Sequence, residues 1–568
     1  MGCREGARDV SNDQMDSEER DGSVSDKGGT GGTGGTGGTG GTGGSGAAGR
    51  LSGPSGGAPH RAVEVEHKFE IPAGFALPDL AGLPGVGSVA APLTESLDAT
   101  YFDSPDLRLV LARHTLRRRT GGHDAGWHLK QPRTDGARDE LHVPLGRSTR
   151  AVPPQLRTLV EVYLRGAALG PVVRLTTERT VHRLLDAAGD VLAEIAVDDV
   201  SAATPSARGR AVTTSSWHEV EVELVVGDAK LLKAVGKRLR AAGATRSASP
   251  SKLSRALGDR LVERLAARPA LVRPPEGSGA AVIHAYLSEQ VAHLLEHDPL
   301  VRLDEDDAVH QMRVACRRLR SLLGTFRPLF DRAVTDPIRD ELAWLGNELG
   351  AARDAEVTRD HLLGIAIAQP AELLVGPVLE RIRTTLDARY RAAHDEALRE
   401  LGSPRYFALL DTLDQLVAAP PLTEAAAQDA DEALRPLVRR TWTRTRRLVA
   451  AADTASGAEH DLLLHDVRKS AKRARYAGDA LVDAFGKDAK RYAGRMAAIQ
   501  EALGDHQDSV VIREQLLELA AAAAAAGENA FSYGRLHALE QARADRTEGA
   551  FGVAWAQLQD SGDLDWLG

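Results

Sequence analysis

The chain has 568 residues, of which 42% are hydrophobic and 27% charged, and a formal net charge of −9 at pH 7. This length predicts two or more domains with packed cores. The first residues lack the apolar stretch of a signal peptide, and no apolar run is long enough to span a bilayer. Cys3 lies in a polar tail and Cys316 in a helical segment, so we expect no disulfide and a cytoplasmic protein. The negative total charge does not exclude a polyanionic ligand, because the 71 lysines and arginines can form local patches.

Four segments of different composition follow one another along the chain. Residues 1–60 are polar and then repetitive in Gly-Gly-Thr, which buries too little apolar surface for folding, so we expect a disordered tail. Residues 61–262 contain short alternating segments, and residues 263–279 are rich in proline and glycine. Residues 280–562 follow a 3.6-residue periodicity. The sequence therefore predicts a β-rich domain, a linker and an all-helical domain.

The β-rich segment contains eight strand candidates, most of which alternate between charged and apolar residues. Eight short strands of this kind predict a closed barrel with a polar interior. Strands are predicted at 62–70, 96–102, 114–119, 126–131, 138–143, 177–186, 191–198 and 217–226, and helices at 154–165 and 229–242.

Charged residues recur on one face of several predicted strands. Successive residues of a strand point to opposite faces, so Glu64, Glu66 and Lys68 share a face. A single charged strand face is usually a solvated sheet surface. Acidic and basic strands that recur in one region instead favour a polar cavity. Carboxylates are ligands for Mg2+ or Mn2+, and together with arginine and lysine they are the groups that phosphoryl transfer requires.

Residues 61–255 resemble the CYTH family, the triphosphate tunnel metalloenzymes. The resemblance rests on the motifs Glu64-x-Glu66-x-Lys68, Tyr101-Phe102-Asp103, Leu116-Arg117-x-Arg119, Trp127-x-Leu129-Lys130-x-Pro132 and Glu221-x-Glu223-Leu224. It implies an eight-stranded antiparallel tunnel that binds triphosphate compounds with Mg2+ or Mn2+.

The same resemblance assigns roles to individual residues. Two assignments stay open, because Glu219 shares a strand face with Glu221 and Glu223, and Arg183 shares one with Arg179. We favour the register of Glu221 and Glu223. The implied catalytic residues are Glu64, Glu66 and Lys68; the metal ligands are Glu64, Glu66, Glu140, Asp198, Glu221 and Glu223; and the substrate-binding residues are Arg117, Arg119, Lys130, Arg179 and Lys252.

The helical segment contains an internal repeat. The two copies share a basic motif, His310-x-x-Arg313-x-x-x-Arg317-Arg318-x-Arg320 and His465-x-x-Arg468-x-x-x-Lys472-Arg473-x-Arg475. Farther along, Leu349-Gly350 precedes Asp354 with the spacing by which Leu503-Gly504 precedes Asp508. The repeat predicts two similar helical hairpins in a pseudo-symmetric bundle. We interpret Asp354 and Asp508 as groups that orient the basic residues or cap a turn.

The basic motif forms one stripe of a helix, because its members are spaced three and four residues apart. A soluble basic helix face is the simplest interpretation of one such stripe, whereas two copies favour a polyanion as ligand. Residues 280–560 resemble the CHAD domain, an all-helical module that binds inorganic polyphosphate through basic surfaces. The resemblance assigns this binding to the ten basic residues and histidines of the two motifs: His310, Arg313, Arg317, Arg318, Arg320, His465, Arg468, Lys472, Arg473 and Arg475.

The leading functional hypothesis is a metal-dependent inorganic triphosphatase with a polyphosphate-binding module. It would hydrolyse tripolyphosphate to pyrophosphate and phosphate. The alternatives are a non-catalytic polyphosphate-binding scaffold and a class IV-type adenylate cyclase or thiamine triphosphatase. Partners are inorganic triphosphate and polyphosphate. Nucleic acid is not expected, because the basic stripes lack interleaved aromatic residues for base stacking, and a membrane is not expected either. The basic stripes would bring the protein to polyphosphate granules in the cytoplasm.

Overall fold

The computed structural model describes residues 60–133, 137–146, 151–205, 212–268, 270–560 and 562–568. Within these ranges, the side chains of residues 60–64, 205, 212, 458, 505–507, 544–549 and 560 are not described. The tail predicted at residues 1–60 lies outside the described residues, except that His60 begins the first strand. The side chain of Glu64 also lies outside them.

One antiparallel sheet of 11 strands forms the first part of the described chain, and ten of the strands lie along a single path in the order β1-β7-β6-β5-β4-β8-β9-β10-β2-β11. β1 and β2 are separated only by Val65 and pair with β7 and β10, so the sheet closes on itself. The strands are β1 His60–Glu64, β2 Glu66–Ile71, β3 Ser88–Val89, β4 Leu93–Asp103, β5 Thr115–Thr120, β6 Gly126–Pro132, β7 Arg138–Pro144, β8 Gly170–Leu185, β9 Val191–Pro205, β10 Val212–Leu224 and β11 Thr245–Arg246.

The predicted tunnel is confirmed, but the predicted count of eight strands was wrong. The first wall strand is interrupted at Val65 and counts as two. The two-residue strand β11 extends the path beside β2, and β3, also of two residues, pairs with β8 off the path. Strands of two residues carry too little alternation to be recognised in a sequence.

Two parts of the tunnel's outer surface are apolar and are covered by helices. Phe69, Val220 and Val222 are fully buried against the helix α3 (Ala229–Ala241), and Trp127 and Leu129 are buried against the helix α2 (Pro154–Leu164). Because side chains alternate along a strand, residues between these outward apolar ones point inward, and many of them are charged. The helices of this part are α1 Arg108–Leu111, α2 Pro154–Leu164, α3 Ala229–Ala241, α4 Lys252–Leu257 and α5 Asp259–Ala266.

The rest of the described chain is helical, as predicted. Its helices are α6 Gly279–Arg302, α7 Ala308–Thr325, α8 Arg332–Ile367, α9 Val378–Leu401, α10 Pro404–Ala418, α11 Ala430–Ala452, α12 Ala458–Asp479, α13 Val482–Ala525 and α14 Phe531–Asp560. Single 3₁₀ turns lie at Arg327–Leu329, Ala371–Leu373, Glu424–Ala427 and Asp565–Leu567. Among the described residues, no helix combines the length and the apolar character needed to cross a membrane.

The internal repeat of the sequence corresponds to two sets of three helices, α6–α7–α8 and α11–α12–α13. Each set begins with a side-chain cap: Ser278 accepts a hydrogen bond from Ala281 N, and Asp429 accepts one from Asp431 N. These two capping residues also form a bridge with each other. The basic helices α7 and α12 pack against each other, and their apolar faces contribute to one core. Both copies therefore present their basic motifs from equivalent helices.

The helix α2 of the first part packs on α6 of the second. Val162 on α2 is fully buried in the same core as the helices of the repeat. Just after α2, the Arg165 guanidinium lies 2.8 Å from Asp411 and 2.6 Å from Asp414, both on α10. Two independent kinds of contact, apolar burial and ion pairing, thus join the tunnel to the helical bundle.

Candidate functional site

The inward faces of the strands line a cavity that is partly open to solvent. Most of its lining is charged, as the alternation of the strands dictates. Its lining includes Glu66, Lys68, Glu95, Tyr101, Arg117, Arg119, Asp124, Lys130, Arg138, Glu140, Arg179, Glu194, Glu221, Glu223 and Lys252.

A basic wall of the cavity is formed by β5, β6 and β7. Arg117 and Arg119 project from β5, and Lys130 projects from β6 directly opposite Glu140 on β7. Glu140 lies 3.7 Å from the Arg117 guanidinium and 3.8 Å from the Lys130 ammonium. His128 Nδ1 lies 2.8 Å from the same carboxylate. This wall holds more positive than negative charge, which favours an anionic ligand.

The pKa values on this wall follow from burial and from the neighbouring charges. Burial raises the pKa of Glu140, but the hydrogen bond from His128 and the charges of Lys130 and Arg117 outweigh it, so the net pKa lies below the usual range. Burial lowers the pKa of His128 to about 4, and Arg117 and Arg119 act in the same direction. The His128 imidazole is therefore neutral at pH 7 and donates or accepts a hydrogen bond without adding charge.

An acidic wall lies on β9 and β10, where cations of other elements reach it. Arg179 makes two hydrogen bonds to the fully buried Asp198, at 2.8 and 2.7 Å, and one to Glu221 at 2.6 Å. Lys68 on β2 lies opposite Glu221, contacts it, and lies 3.2 Å from Glu66. Burial raises the pKa of Glu221, but Lys252, Lys68 and Arg179 lower it well below its usual range. These carboxylates are therefore ionised at neutral pH.

Lys252 is the first residue of α4 and reaches the acidic wall from outside the barrel strands. Its ammonium lies 2.9 Å from Asp198, 2.7 Å from Glu219 and 2.6 Å from Glu221. Ser251 caps α4 by accepting a hydrogen bond from Ser254 N, which fixes the position of the Lys252 backbone. Burial lowers the pKa of Lys252, and the three carboxylates raise it above its usual range.

The chemistry of the donors fits a divalent metal. Asp198, Glu219 and Glu221 each offer a carboxylate oxygen, and these oxygens lie within 4.8 Å of one another. Oxygen ligands of this kind suit Mg2+ or Mn2+. Glu66 and Glu223 add two further carboxylates, which lie opposite each other on β2 and β10. The acidic triad, Asp198, Glu219 and Glu221, is therefore the best-formed cation site among the described residues.

The structure brings most of the predicted site residues together. Glu66, Lys68, Arg117, Arg119, Lys130, Glu140, Arg179, Glu221, Glu223 and Lys252 line one cavity, and Asp198 lies beneath Arg179 and Lys252. Arg183, the alternative to Arg179, instead pairs with Glu194 at 2.7 Å and is 40% exposed. The roles given to these residues stay predictions.

Sequence reasoning missed several residues of the site. Glu219 was set aside in favour of Glu221 and Glu223, although all three share one strand face, and its period-two spacing was the available signal. Tyr101 was recognised as part of a motif but not as a lining residue. Asp124, which pairs with Arg119, lies in the turn between β5 and β6, where alternation gives no information.

The helical part contains a second charged site, formed where α7 and α12 meet. Arg313 Nη1 donates a hydrogen bond to Asp354 at 2.7 Å, and Arg468 lies 3.7 Å from Asp508. Both carboxylates lie inside helices, so the interpretation that they cap a turn was wrong, and their contacts support an orienting role.

Two glycines make room for these arginines. A Cβ on Gly350 would lie 3.2 Å from Arg313 Nη2, and one on Gly504 would lie 3.4 Å from Arg468 Nη2. The guanidinium groups therefore lie directly against the facing helices. The repetition of this arrangement confirms that the two motifs are structural equivalents.

Basic residues of the two motifs face each other between α7 and α12. Burial, together with the charges of Arg317, Arg468, Arg313 and Arg475, lowers the pKa of Lys472 to about 8. Burial likewise lowers the pKa of Arg317. Like charges held this close are unfavourable in the absence of an anion, so this cluster favours an anionic ligand.

Not every residue of the motifs joins this cluster. Arg318 Nη1 lies 3.4 Å from Gln290 and lines a separate cavity with Tyr286 and Asp479. Arg473 has Arg444 and Arg339 as its charged neighbours. Burial lowers the pKa of His310, with Arg353 acting in the same direction, so His310 is neutral at pH 7. His465 lies on α12 at the equivalent position, and Arg320 is exposed on α7.

Comparison with known proteins agrees with this arrangement. The chain matches the family models of the CYTH domain over residues 62–257 and of the CHAD domain over residues 285–517. It is 41% identical over 503 residues to an uncharacterized protein of Mycobacterium tuberculosis (strain CDC 1551 / Oshkosh), covering 86% of this chain and 94% of that protein.

Two solved structures are similar to parts of this chain. PptA from Streptomyces chartreusis has 27% identity and a TM-score of 0.40, over 50% of this chain and 100% of that one. The CHAD domain from the plant Ricinus communis has 27% identity and a TM-score of 0.35, over 53% of this chain and 93% of that one.

The fold and the charged cavity define a triphosphate tunnel domain followed by a helical domain. The chain belongs to the family of CYTH–CHAD proteins. CYTH domains bind triphosphates, depend on metal and are commonly found in enzymes that act on phosphoanhydride bonds.

Proposed function

We propose that the protein is a metal-dependent inorganic triphosphatase that hydrolyses tripolyphosphate to pyrophosphate and phosphate and binds polyphosphate through its helical domain. One observation carries the proposal: a basic wall and an acidic wall face each other across a single cavity inside a closed tunnel. An anion-binding site alone needs no buried carboxylates, whereas a site for a metal–phosphate complex needs both kinds of charge.

The residues of the tunnel have separate tasks in this proposal. Arg117, Arg119 and Lys130 bind the phosphate oxygens and hold the chain in line for attack. The acidic triad, with Glu66 and Glu223, would hold Mg2+ or Mn2+, which when bound would neutralise phosphate charge and lower the pKa of a water. A water oxygen forms a bond to the terminal phosphorus, the bridging P–O bond breaks, and pyrophosphate leaves. A tunnel carboxylate accepts the proton of the water.

The lining of the cavity favours an inorganic substrate. Among the described lining residues, the aromatic rings are those of Tyr101 and His123. Tyr101 is only 4% exposed and lies next to Arg117. Recognition of an adenine or thiazole ring needs an apolar or aromatic surface, and the charged lining offers little of it. A linear chain of phosphates needs only the cations that are present.

The helical domain would bind longer phosphate chains at the seam between α7 and α12. Arg313, Arg317, Arg468, Lys472 and Arg475 concentrate positive charge there. A polyanion would relieve their mutual repulsion and release its own counterions. Affinity for polyphosphate should therefore fall steeply with salt, which a filter-binding titration at several salt concentrations would measure.

The enzymatic proposal is tested by phosphate release from tripolyphosphate with and without Mg2+ or Mn2+. We expect release that requires metal, that is lost in Glu66→Ala and that is retained in Glu178→Ala, whose glutamate bonds to Ser96 on the outside of the tunnel. Full activity of Glu66→Ala would refute the assignment of the site. A parallel incubation with ATP should give no cyclic AMP; its formation would favour the cyclase alternative.

A non-catalytic polyphosphate-binding scaffold is the second candidate, and one observation favours it. The carboxylates of the acidic triad are already contacted by Lys252 and Arg179, so their negative charge is largely balanced within the protein. Tight, salt-sensitive polyphosphate binding without any release of phosphate would support the scaffold and contradict the triphosphatase.

A further inference from the structure

The acidic triad consists of carboxylates that would repel one another if no cation were present. Asp198 on β9 and Glu219 on β10 lie directly opposite in the strand register, and Glu221 follows on the same face. Asp198 is fully buried and Glu219 is 3% exposed. Like charges directly opposite on paired strands destabilise a sheet, and burial strengthens the repulsion. The triad therefore needs cations beside it, and Arg179, which contacts Asp198 and Glu221, supplies part of this charge.

The ammonium of Lys252 meets this requirement in the structure. It lies 2.6–2.9 Å from one oxygen of each of the three carboxylates. The contacts are those of an ion with three opposite charges, and charge rather than hydrogen-bond geometry joins Lys252 to Glu219. Lys252 is only 8% exposed, and its neighbour Leu253 is 1% exposed in the core beneath α4. The lysine is thus built into the triad by the helix that carries it.

The same three carboxylates are those whose oxygens lie close enough together to share a metal ion. An ammonium and a divalent cation cannot occupy the centre of the triad at the same time, because each needs the same oxygens at contact distance. Lys252 also lines the cavity where the phosphates are proposed to bind. Its side chain is long and flexible, so its ammonium can exchange carboxylate oxygens for phosphate oxygens.

We propose that Lys252 is a resident cation of the acidic triad, and that a divalent metal enters the triad only when the Lys252 ammonium leaves it. The free tunnel is then held in a metal-poor state, and a phosphate chain favours metal entry because it offers the displaced ammonium new partners. This second part rests on the proposed function, whereas the competition between lysine and metal does not.

The competition is tested by a titration of the full-length protein with Mn2+ in the absence of any phosphate compound. Electron paramagnetic resonance measures the concentration of free Mn2+ and so gives the affinity. We expect Lys252→Met to bind Mn2+ roughly tenfold more tightly than the unmodified protein, because the triad loses the cation that contacts all three carboxylates, although Arg179 and Lys68 remain. Lys233→Met is the matched control. It removes an exposed lysine on α3, outside the cavity, so its effect should be less than about threefold.

Unchanged or weaker Mn2+ binding by Lys252→Met would overturn the proposal, and so would an equal gain in Lys233→Met. If Lys252→Met does not fold, Lys252→Gln provides the same test, because its amide still donates hydrogen bonds but carries no charge. The measurement needs no turnover. If the unmodified protein releases no phosphate but Lys252→Met binds Mn2+ more tightly, this inference is supported and the triphosphatase is contradicted. If the unmodified protein is active but Lys252→Met binds Mn2+ no more tightly, the triphosphatase is supported and this inference is contradicted.

Discussion

Single side chains in the tunnel are held by contacts between buried opposite charges. The pair of Arg179 with Asp198 shows this most clearly, because the aspartate is fully buried and accepts two hydrogen bonds from one guanidinium. Removal of one partner from such a pair leaves an uncompensated charge away from water, which is far more costly than loss of an exposed pair.

We therefore expect Arg179→Met to lower the free energy of unfolding by about 3–5 kcal/mol, since Asp198 and Glu221 both lose a cation. Arg183→Met is a matched control on the same strand. Its guanidinium is 40% exposed and pairs with Glu194, so the loss should be under about 1 kcal/mol. Urea unfolding of both variants measures the difference. Equal losses of unfolding free energy in the two variants would show that burial does not make removal of Arg179 more costly than removal of an exposed arginine.

For single residues, the sequence predicted which side chains point into the tunnel better than it predicted which side chains they contact. The inward direction of Glu66, Lys68 and Arg117 follows from strand alternation alone. The contacts of Lys252 could not be predicted, because they join a helix to two strands that are distant in sequence. The same limit applies to Asp124, whose position depends on the path of a turn.

Whole elements determine the second site, because α7 and α12 bring two copies of one motif together. Each copy places an arginine over a glycine of the facing helix. A glycine inside a helix is less favourable than alanine by about 1 kcal/mol. Gly350 and Gly504 therefore lower the stability of their helices. That cost is understandable if the guanidinium groups have a ligand.

The substitution Gly350→Ala separates the effect of this glycine on helix stability from its effect on ligand binding by Arg313. A Cβ at this position would lie 3.2 Å from Arg313 Nη2, so the guanidinium must move, and we expect weaker polyphosphate binding with unchanged or higher stability. Gly364→Ala in the same helix has no neighbour within 4 Å and should raise stability without changing affinity. Calorimetric titration with polyphosphate measures both variants. Identical affinities would show that Arg313 does not contact the ligand.

The α7–α12 seam also predicts a dependence of stability on pH. The pKa of Lys472 is lowered from 10.5 to about 8 in the folded chain, so the unfolded chain binds more protons between these two values. Stability therefore rises as pH increases through this window, and the charged lysine is unfavourable at pH 7. We expect Lys472→Met to have a higher melting temperature at pH 7 than the unmodified protein. Its stability should also lack the increase with pH that Lys472 contributes in this window. A variant with the same pH profile as the unmodified protein would contradict the assignment.

The whole molecule combines a tunnel and a bundle, and its fold class could be predicted from the sequence. Periods of 2 and 3.6 residues separate the two parts, and the repeat of the basic motif indicates the pseudo-symmetry of the bundle. The strand count could not be predicted, because β3 and β11 have two residues each and the break at Val65 depends on closure of the sheet. The contact between α2 and α6 could not be predicted either, because the sequence pattern of α2 is that of any amphipathic helix and does not identify its packing partner.

The central claim is that the tunnel cleaves an inorganic triphosphate with a metal. The most direct measurement is phosphorus NMR of tripolyphosphate incubated with the purified protein and Mg2+ or Mn2+. We predict equal amounts of pyrophosphate and phosphate, with no product in Glu66→Gln, whose amide keeps the shape of the side chain but not its charge. Unchanged tripolyphosphate with the unmodified protein and both metals, or equal turnover by Glu66→Gln, would contradict the account.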